Sequence, residues 1–199
     1  MANTTPKRKT QAQRRAESSQ AVLDSATRLF GAKGYADTSL EDIAADCGLT
    51  IRPIYHYFGN KKALFAAVNE LMEARILDSM DVGDRNKPGA GVVANWRAYL
   101  DLCDDPAFRQ IVLIDSPNIL GRERWANSPV SEKARKALAT NNASQTGQNF
   151  RAALVNRVVM ASFTEAALMI AEASDIGAAK KEAEALMVDL FSALSTGNE

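Results

Sequence analysis

Residues 40–65 read LEDIAADCGLTIRPIYHYFGNKKALF, and the order of small, flexible and apolar positions in this stretch decides the fold. Ala44, Gly48 and Ile54 are the key positions. Two helices that cross at close range need a small residue on the first, a residue tolerant of positive φ at the turn, and an inward apolar residue on the second. Ala44, Gly48 and Ile54 supply these in order. Thr38-Ser39-Leu40-Glu41 reads as a capping box that opens the first of the two helices. Thr50 is placed to cap the second, with Pro53 in its first turn, where a missing N–H costs little.

At about 100° per residue, Ile51, Ile54 and Phe58 share one sector of this second helix and point inward. Arg52 and His56 point the opposite way, flanked by Pro53 and Tyr55, with Tyr57 at the edge of the buried side. A guanidinium, an imidazole and a phenol thus face outward on a helix short enough to enter a DNA major groove. Lys61 and Lys62, and Thr38 and Ser39, stand where helices begin and can reach backbone phosphates.

The flanking sequence is helical too. From Arg15, Val22, Ala26, Leu29 and Phe30 fall on one face, and Gly31 and Gly34 are expected to end that helix. Leu40, Ile43, Ala44 and Cys47 form the apolar face of the next. Gly59 closes the outward-facing helix, and Asn60 can cap a fourth carrying Leu64, Phe65, Val68, Leu71, Met72, Arg75 and Ile76. Residues 1–14 form a basic tail without apolar anchors, expected to be disordered when free. Residues 81–91 are rich in Gly, Pro and charge and read as a loop.

Beyond the loop, Trp96, Tyr99, Leu100 and Cys103 align on one helix. Pro106 starts a short helix through Phe108, Ile111, Val112 and Leu113, and Pro117 begins another through Ile119, Leu120 and Trp125. Residues 131–140 read as a polar helix and 141–147 as a loop. Two long helices follow, one from about Asn149 to Ala173 and one from about Ile176. No strand and no repeat is apparent. The fold class is all-α: an N-terminal three-helix, helix-turn-helix domain over 15–65, then a helical bundle over 66–199 expected to bind an effector and dimerise.

Trp96, Tyr99, Phe108, Trp125, Met160 and Phe163 are candidates to line an effector pocket, although any helical core holds such residues. Phe163, Leu168, Met187 and Phe191 are left over on the last two helices, which suggests a second buried face shared with a symmetry mate.

Composition narrows the function classes. Of 199 residues, 46% are hydrophobic and 24% charged, which fits a folded globular chain. Two Cys and one His exclude a Cys/His zinc finger and a disulfide scaffold. No metal and no cofactor is expected. No signal peptide or membrane span is legible, so the expected location is the cytoplasm. The net charge is +0, yet residues 1–66 hold ten Lys/Arg against six Asp/Glu. The remainder is acidic, a division that suggests a phosphate-facing end joined to a body with another task. An enzyme is not expected, because no nucleophile elbow, HExxH or P-loop is present and the sole His, His56, lies on the outward helix.

The run from Thr50 to Phe65 resembles the signature of the TetR family of bacterial transcriptional regulators. The resemblance rests on Tyr55 and Phe58 at the end of the outward-facing helix, then Gly59-Asn60, Lys61 and Leu64-Phe65. Leu29-Phe30, Gly34-Tyr35, Thr38-Ser39 and Ile43-Ala44 extend it, so that it covers roughly 15–65. Asp115 to Gly121 followed by Trp125 resembles the C-terminal region of some members. The resemblance implies that Thr50 caps the recognition helix, Tyr55 and Lys61 meet phosphates, and Arg52, Pro53 and His56 face bases or nearby backbone. Arg52 stands where a small residue is common; its guanidinium suits either guanine O6/N7 or a phosphate. The DNA-binding set expected overall is Thr38, Ser39, Thr50, Arg52, Pro53, Tyr55, His56, Tyr57 and Lys61.

The implied function is a ligand-responsive regulator. It would bind double-stranded DNA at a palindromic operator as a homodimer, usually as a repressor, and be released by a partly apolar small molecule. A helical scaffold or small-molecule-binding module without a DNA role would explain the amphipathic helices, but not the outward Arg52/Tyr55/His56 face.

Overall fold

A computed structural model describes residues 10–80, 90–121, 123–124, 127–133 and 148–196, apart from the side chains of some helical positions. The expected loop over 141–147, the polar helix beyond 133 and Trp125 lie outside the described residues. Among the described residues every regular element is helical. The chain divides into two compact units, Met1–Val68 and Asn69–Glu199.

The first unit holds α1 (Gln11–Lys33), α2 (Leu40–Asp46), α3 (Ile51–Phe58) and the opening turns of α4 (Lys61–Ser79). The first helix starts earlier than its apolar periodicity indicates. Thr10 caps it through a reciprocal box: its hydroxyl accepts from the Gln13 N–H at 3.2 Å, and its own N–H donates to Gln13 Oε1 at 2.8 Å. Residues 11–14 are therefore helical and not part of a tail. Gly31 lies within α1, and only Gly34 ends it. Val22, Ala26 and Phe30 make its buried stripe.

The second helix corrects the expected capping box by one position. Ser39 is the N-cap and Asp42 its partner, with Ser39 Oγ accepting from the Asp42 N–H at 3.0 Å and the Ser39 N–H donating to Asp42 Oδ2 at 3.1 Å. Thr38 is fully buried, and its hydroxyl faces the Gly34 carbonyl at 2.8 Å and the Leu29 carbonyl at 3.2 Å. It ties down the end of α1 and has no exposed hydroxyl for a phosphate. Cys47, expected on the apolar face of α2, ends that helix and is half-buried.

Gly48 makes the turn at φ 69°, in the left-handed region where a side chain is strained. A Cβ there would meet open space, so backbone conformation and not crowding favours glycine. Leu40, Ile43 and Ala44 of α2 and Ile54 of α3 are buried, as their spacing predicts. Asn60 caps α4, its Oδ1 accepting from the Ala63 N–H at 2.8 Å. Thr50 holds the N-cap position of α3, but its side chain makes no capping hydrogen bond.

In the second unit, α5 (Ala90–Leu102) buries Trp96, Tyr99 and Leu100, with Cys103 following its last residue. The short α6 (Pro106–Phe108) is capped by Asp105, which accepts from the Ala107 N–H at 2.9 Å. It runs into a π-helical segment, Arg109–Asp115, and then α7 (Ser116–Ile119). Helical backbone therefore passes through the point where Pro117 was expected to start a new helix. The Ser116 N–H reaches the Ile111 carbonyl, five residues back. Pro117 has no N–H to place, and the Asn118 side chain donates to the Ile114 carbonyl at 2.8 Å.

The long α8 (Gln148–Glu172) and α9 (Ile176–Thr196) match the two late amphipathic runs. Arg97 of α5 meets Glu184 of α9, and Lys180 donates to Asp104 at 2.6 Å.

The register of the α2 box gives a direct check. Ser39→Ala should cost about 1 kcal/mol of unfolding free energy in urea titrations. Glu41→Ala should stay within about 0.5 kcal/mol of wild type.

Candidate nucleic-acid interface

Burial of Ile54 orients α3. Opposite it, Arg52, Tyr55 and His56 are exposed, Tyr55 by 53%. Pro53 and Tyr57 are half-buried, and Tyr57 packs at the margin with ring centroids 5.5 Å from His56 and 6.3 Å from Phe58. Ile51 and Phe58, expected inside, are half-buried because they close the two ends of the buried face.

Beside this face lies an open depression of about 420 Å³, bounded by Ala36 to Asp42, Tyr55, Asn60 and Lys61. Of the sequence-predicted set it brings together Ser39, Tyr55 and Lys61; Thr38 also borders it, with its hydroxyl turned to carbonyls. The Lys61 ammonium sits 4.3 Å from the Tyr35 ring centroid and 3.3 Å from the Ala36 carbonyl. Both contacts leave it a cation with donors to spare. Asp37, Glu41 and Asp42 also line the depression, so its charge is mixed. The Asp42 carboxyl is held below the usual carboxylate range by hydrogen bonds from Ser39.

Two clamps hold the helices that present this face. Tyr35 and Phe65 pack edge to face at 5.1 Å, and both meet Phe30. At the end of α2, Asp46 accepts from the Ser25 hydroxyl at 2.5 Å and pairs with Arg28. Sequence reasoning missed this clamp, and also a second link from α1: an Arg15 Nη lies 2.9 Å from His56 Nε2. The partners stand 41 residues apart, a distance at which no periodicity signals a pair.

The second unit gathers four of the six expected pocket residues. Trp96 and Phe163 stack at 4.5 Å, and Tyr99 packs near Trp96, Phe163 and Phe108 at 6.2–6.3 Å. All four are buried. The Met160 side chain and Trp125 lie outside the described residues. The Trp96 Nε1–H is buried without a hydrogen-bond partner among the described residues.

A polar cluster not anticipated from sequence lies in the same unit. Asn69 donates to Glu73 at 2.7 Å, and Arg124 meets Glu73 at 3.2 Å and Glu70 at 3.1 Å. Burial pushes the Glu73 carboxyl above its ordinary value, while Arg124 and Asn69 oppose the shift.

The four expected dimer residues lie in different surroundings. Phe163 and Met187 are buried within the unit, Phe163 in the aromatic stack, and Leu168 is half-buried. The Phe191 side chain lies outside the described residues. Among the described residues, the large apolar side chains exposed on α8 are Phe150, Leu154, Val158 and Met169.

Comparison with known proteins matches this architecture. The family model for bacterial regulatory proteins, tetR family, covers residues 22–68. The model for the tetracyclin repressor-like C-terminal domain covers residues 90–194, more than half of the chain. The chain belongs to the TetR family. Among curated relatives, it is 44% identical over 60 residues to the HTH-type transcriptional regulator AcrR of Shigella flexneri, a stretch spanning 30% of this chain and 28% of AcrR. It is 33% identical over 54 residues to YerO of Bacillus subtilis, an uncharacterized HTH-type transcriptional regulator, spanning 27% of this chain and 19% of YerO.

Among solved structures, a TetR-family regulator from Pectobacterium atrosepticum is 28% identical with a TM-score of 0.63, covering 92% of this chain and 95% of that one. A TetR-family regulator from Streptomyces coelicolor shares the fold at 24% identity and a TM-score of 0.71, covering 90% and 80% of the two chains. Within this TetR-family chain, no described helix is long and apolar enough to cross a membrane.

The Asp46 clamp makes stability depend on pH. Hydrogen bonds from Ser25 and then Arg28 hold the Asp46 carboxyl below the usual range. Its contribution is therefore present above the ordinary carboxylate value and lost as pH falls through the depressed one. Asp46→Asn should melt below wild type at pH 7, and the gap in Tm should close under progressively acidic conditions.

Proposed function

We propose that this chain is a ligand-responsive transcriptional repressor that binds a palindromic operator as a homodimer. The supporting observation is the α3 face, where Ile54 is fully buried and Arg52, Tyr55 and His56 stand exposed on the opposite side. In this reading residues 15–65 are the DNA-binding domain and 66–199 the effector-binding and dimerisation domain. Arg52, Pro53 and His56 face bases or adjacent backbone. Tyr55, Lys61, Ser39 and the Thr50 hydroxyl, left unused by the cap, meet phosphates. Thr38 is assigned to the fold alone.

The dimer would form through the exposed stripe of α8. Phe150, Leu154, Val158 and Met169 fall within about 100° of one another around the helix. A homodimer would set two copies of α3 into successive major grooves, roughly 34–36 Å apart. The effector would enter beside the Trp96–Phe163 stack, where a flat, partly apolar molecule with an acceptor could satisfy the Trp96 N–H. An effector bound in the second unit would shift α4 and change the spacing of the two recognition helices. Only one spacing of the two recognition helices fits both grooves, so release follows. The chain would act in the cytoplasm, where the DNA is.

Binding to the intergenic DNA upstream of its own gene tests the reading. Wild type should bind tightly and lose affinity steeply with salt, because phosphate contacts release counterions. Arg52→Ala/Tyr55→Ala should abolish specific binding, and Lys61→Ala should reduce the salt slope by about one. Equally weak binding by wild type and the double variant would refute the proposal.

A further inference from the structure

We propose that Arg15 is a positioning residue that fixes the hydrogen-bonding face of His56, so that His56 presents Nδ1–H to a purine N7 in the major groove. This rests on α3 being the DNA-reading helix. An Arg15 Nη lies 2.9 Å from His56 Nε2. A guanidinium carries only donors, so the imidazole nitrogen must accept. When the imidazole is neutral, this contact therefore places its proton on Nδ1. The Arg15 contact thus determines which nitrogen of an exposed side chain remains as the donor.

The backbone is built to hold that contact. The Thr10–Gln13 box fixes the first turn of α1, and the Arg14 N–H closes on the Thr10 carbonyl at 3.1 Å. Arg15 follows immediately, and α1 packs against α3 within the same unit. On the other side the His56 ring meets the Tyr57 ring at 5.5 Å, which limits how far it can swing. The result is one N–H donor on the exposed side of α3 that also carries Arg52. In the major groove purine N7, guanine O6 and thymine O4 are all acceptors, whereas cytosine offers only its amino donor. A lone N–H donor therefore excludes cytosine at the position it faces, and loss of binding with a 7-deaza purine separates N7 from guanine O6 and thymine O4.

His56 is the only histidine in the chain, so one imidazole spin system reports the couple. Nitrogen-15 spectra of the full-length protein at pH 8 should show His56 protonated at Nδ1, with a pyridine-type Nε2. Arg15→Ala should shift that balance toward Nε2–H, with circular dichroism unchanged because Arg15 is exposed. On the bound duplex, replacing purines singly by 7-deaza analogues should reveal one position per half-site that weakens wild-type binding roughly two- to tenfold. That sensitivity should disappear in both His56→Ala and Arg15→Ala.

An Nε2–H tautomer in the wild type would overturn the assignment. So would an unchanged tautomer in Arg15→Ala, or a uniform loss of affinity with the deaza pattern intact, which would make Arg15 a phosphate contact only. Failure of the wild type to bind any duplex would instead sink the DNA reading of α3, and the two failures are distinguishable because the tautomer is read without DNA.

Discussion

Ile54 is the only fully buried side chain of α3, and its burial decides which face of an eight-residue helix is left outside. Removing such a side chain from water contributes about 1.5–3 kcal/mol. That is more than the intrinsic helical stability of so short a segment, which could not persist alone. The helix thus exists because α1 and α2 receive it. Ala44 makes room at the crossing, and Gly48 turns the chain at a φ of 69°. Arg52, Tyr55 and His56 are exposed as a consequence: the inward sector is already taken.

Polar groups refine what that burial begins. Thr38 holds α1's end through two carbonyls, Ser39 and Asp42 open α2, and Ser25 and Arg28 fasten its far end through Asp46. Each contact is small, but they act on the few degrees of helix orientation that decide where an exposed side chain points. The Arg15–His56 contact belongs to the same set, reaching from α1 onto the outer face. In the second unit the corresponding organiser is aromatic: Trp96, Tyr99, Phe108 and Phe163 pack as one cluster.

Much of the helical order was legible because burial repeats along a helix. Val22, Ala26 and Phe30, and Trp96, Tyr99 and Leu100, recur at helical spacing and are buried where that spacing places them. Ends were less legible, because caps are chosen by hydrogen bonds that compete with tertiary ones. Thr38-x-x-Glu41 and Ser39-x-x-Asp42 are comparable as patterns; the buried carbonyls of Leu29 and Gly34 claim the Thr38 hydroxyl and leave the cap to Ser39. The π-helical segment before Pro117 was not legible either, since proline in a sequence signals a break and only the surrounding backbone shows how helix can pass through it. Phe163 illustrates the same limit: its helical position does not reveal that it stacks on Trp96 within the second unit.

The sequence by itself determined that the chain is helical, that Ala44, Gly48 and Ile54 make a helix-turn-helix, and that Arg52, Tyr55 and His56 point away from its core. These follow from periodicity, which is a local property. Tertiary structure alone decided which residues hold that motif in place and which apolar side chains remain for another surface. Arg15 with His56, Arg28 with Asp46 and Arg124 with Glu73 lie 41, 18 and 51 residues apart. Such pairings depend on where packed helices bring their side chains, and the spacing of residues along one helix carries no record of its neighbour's register.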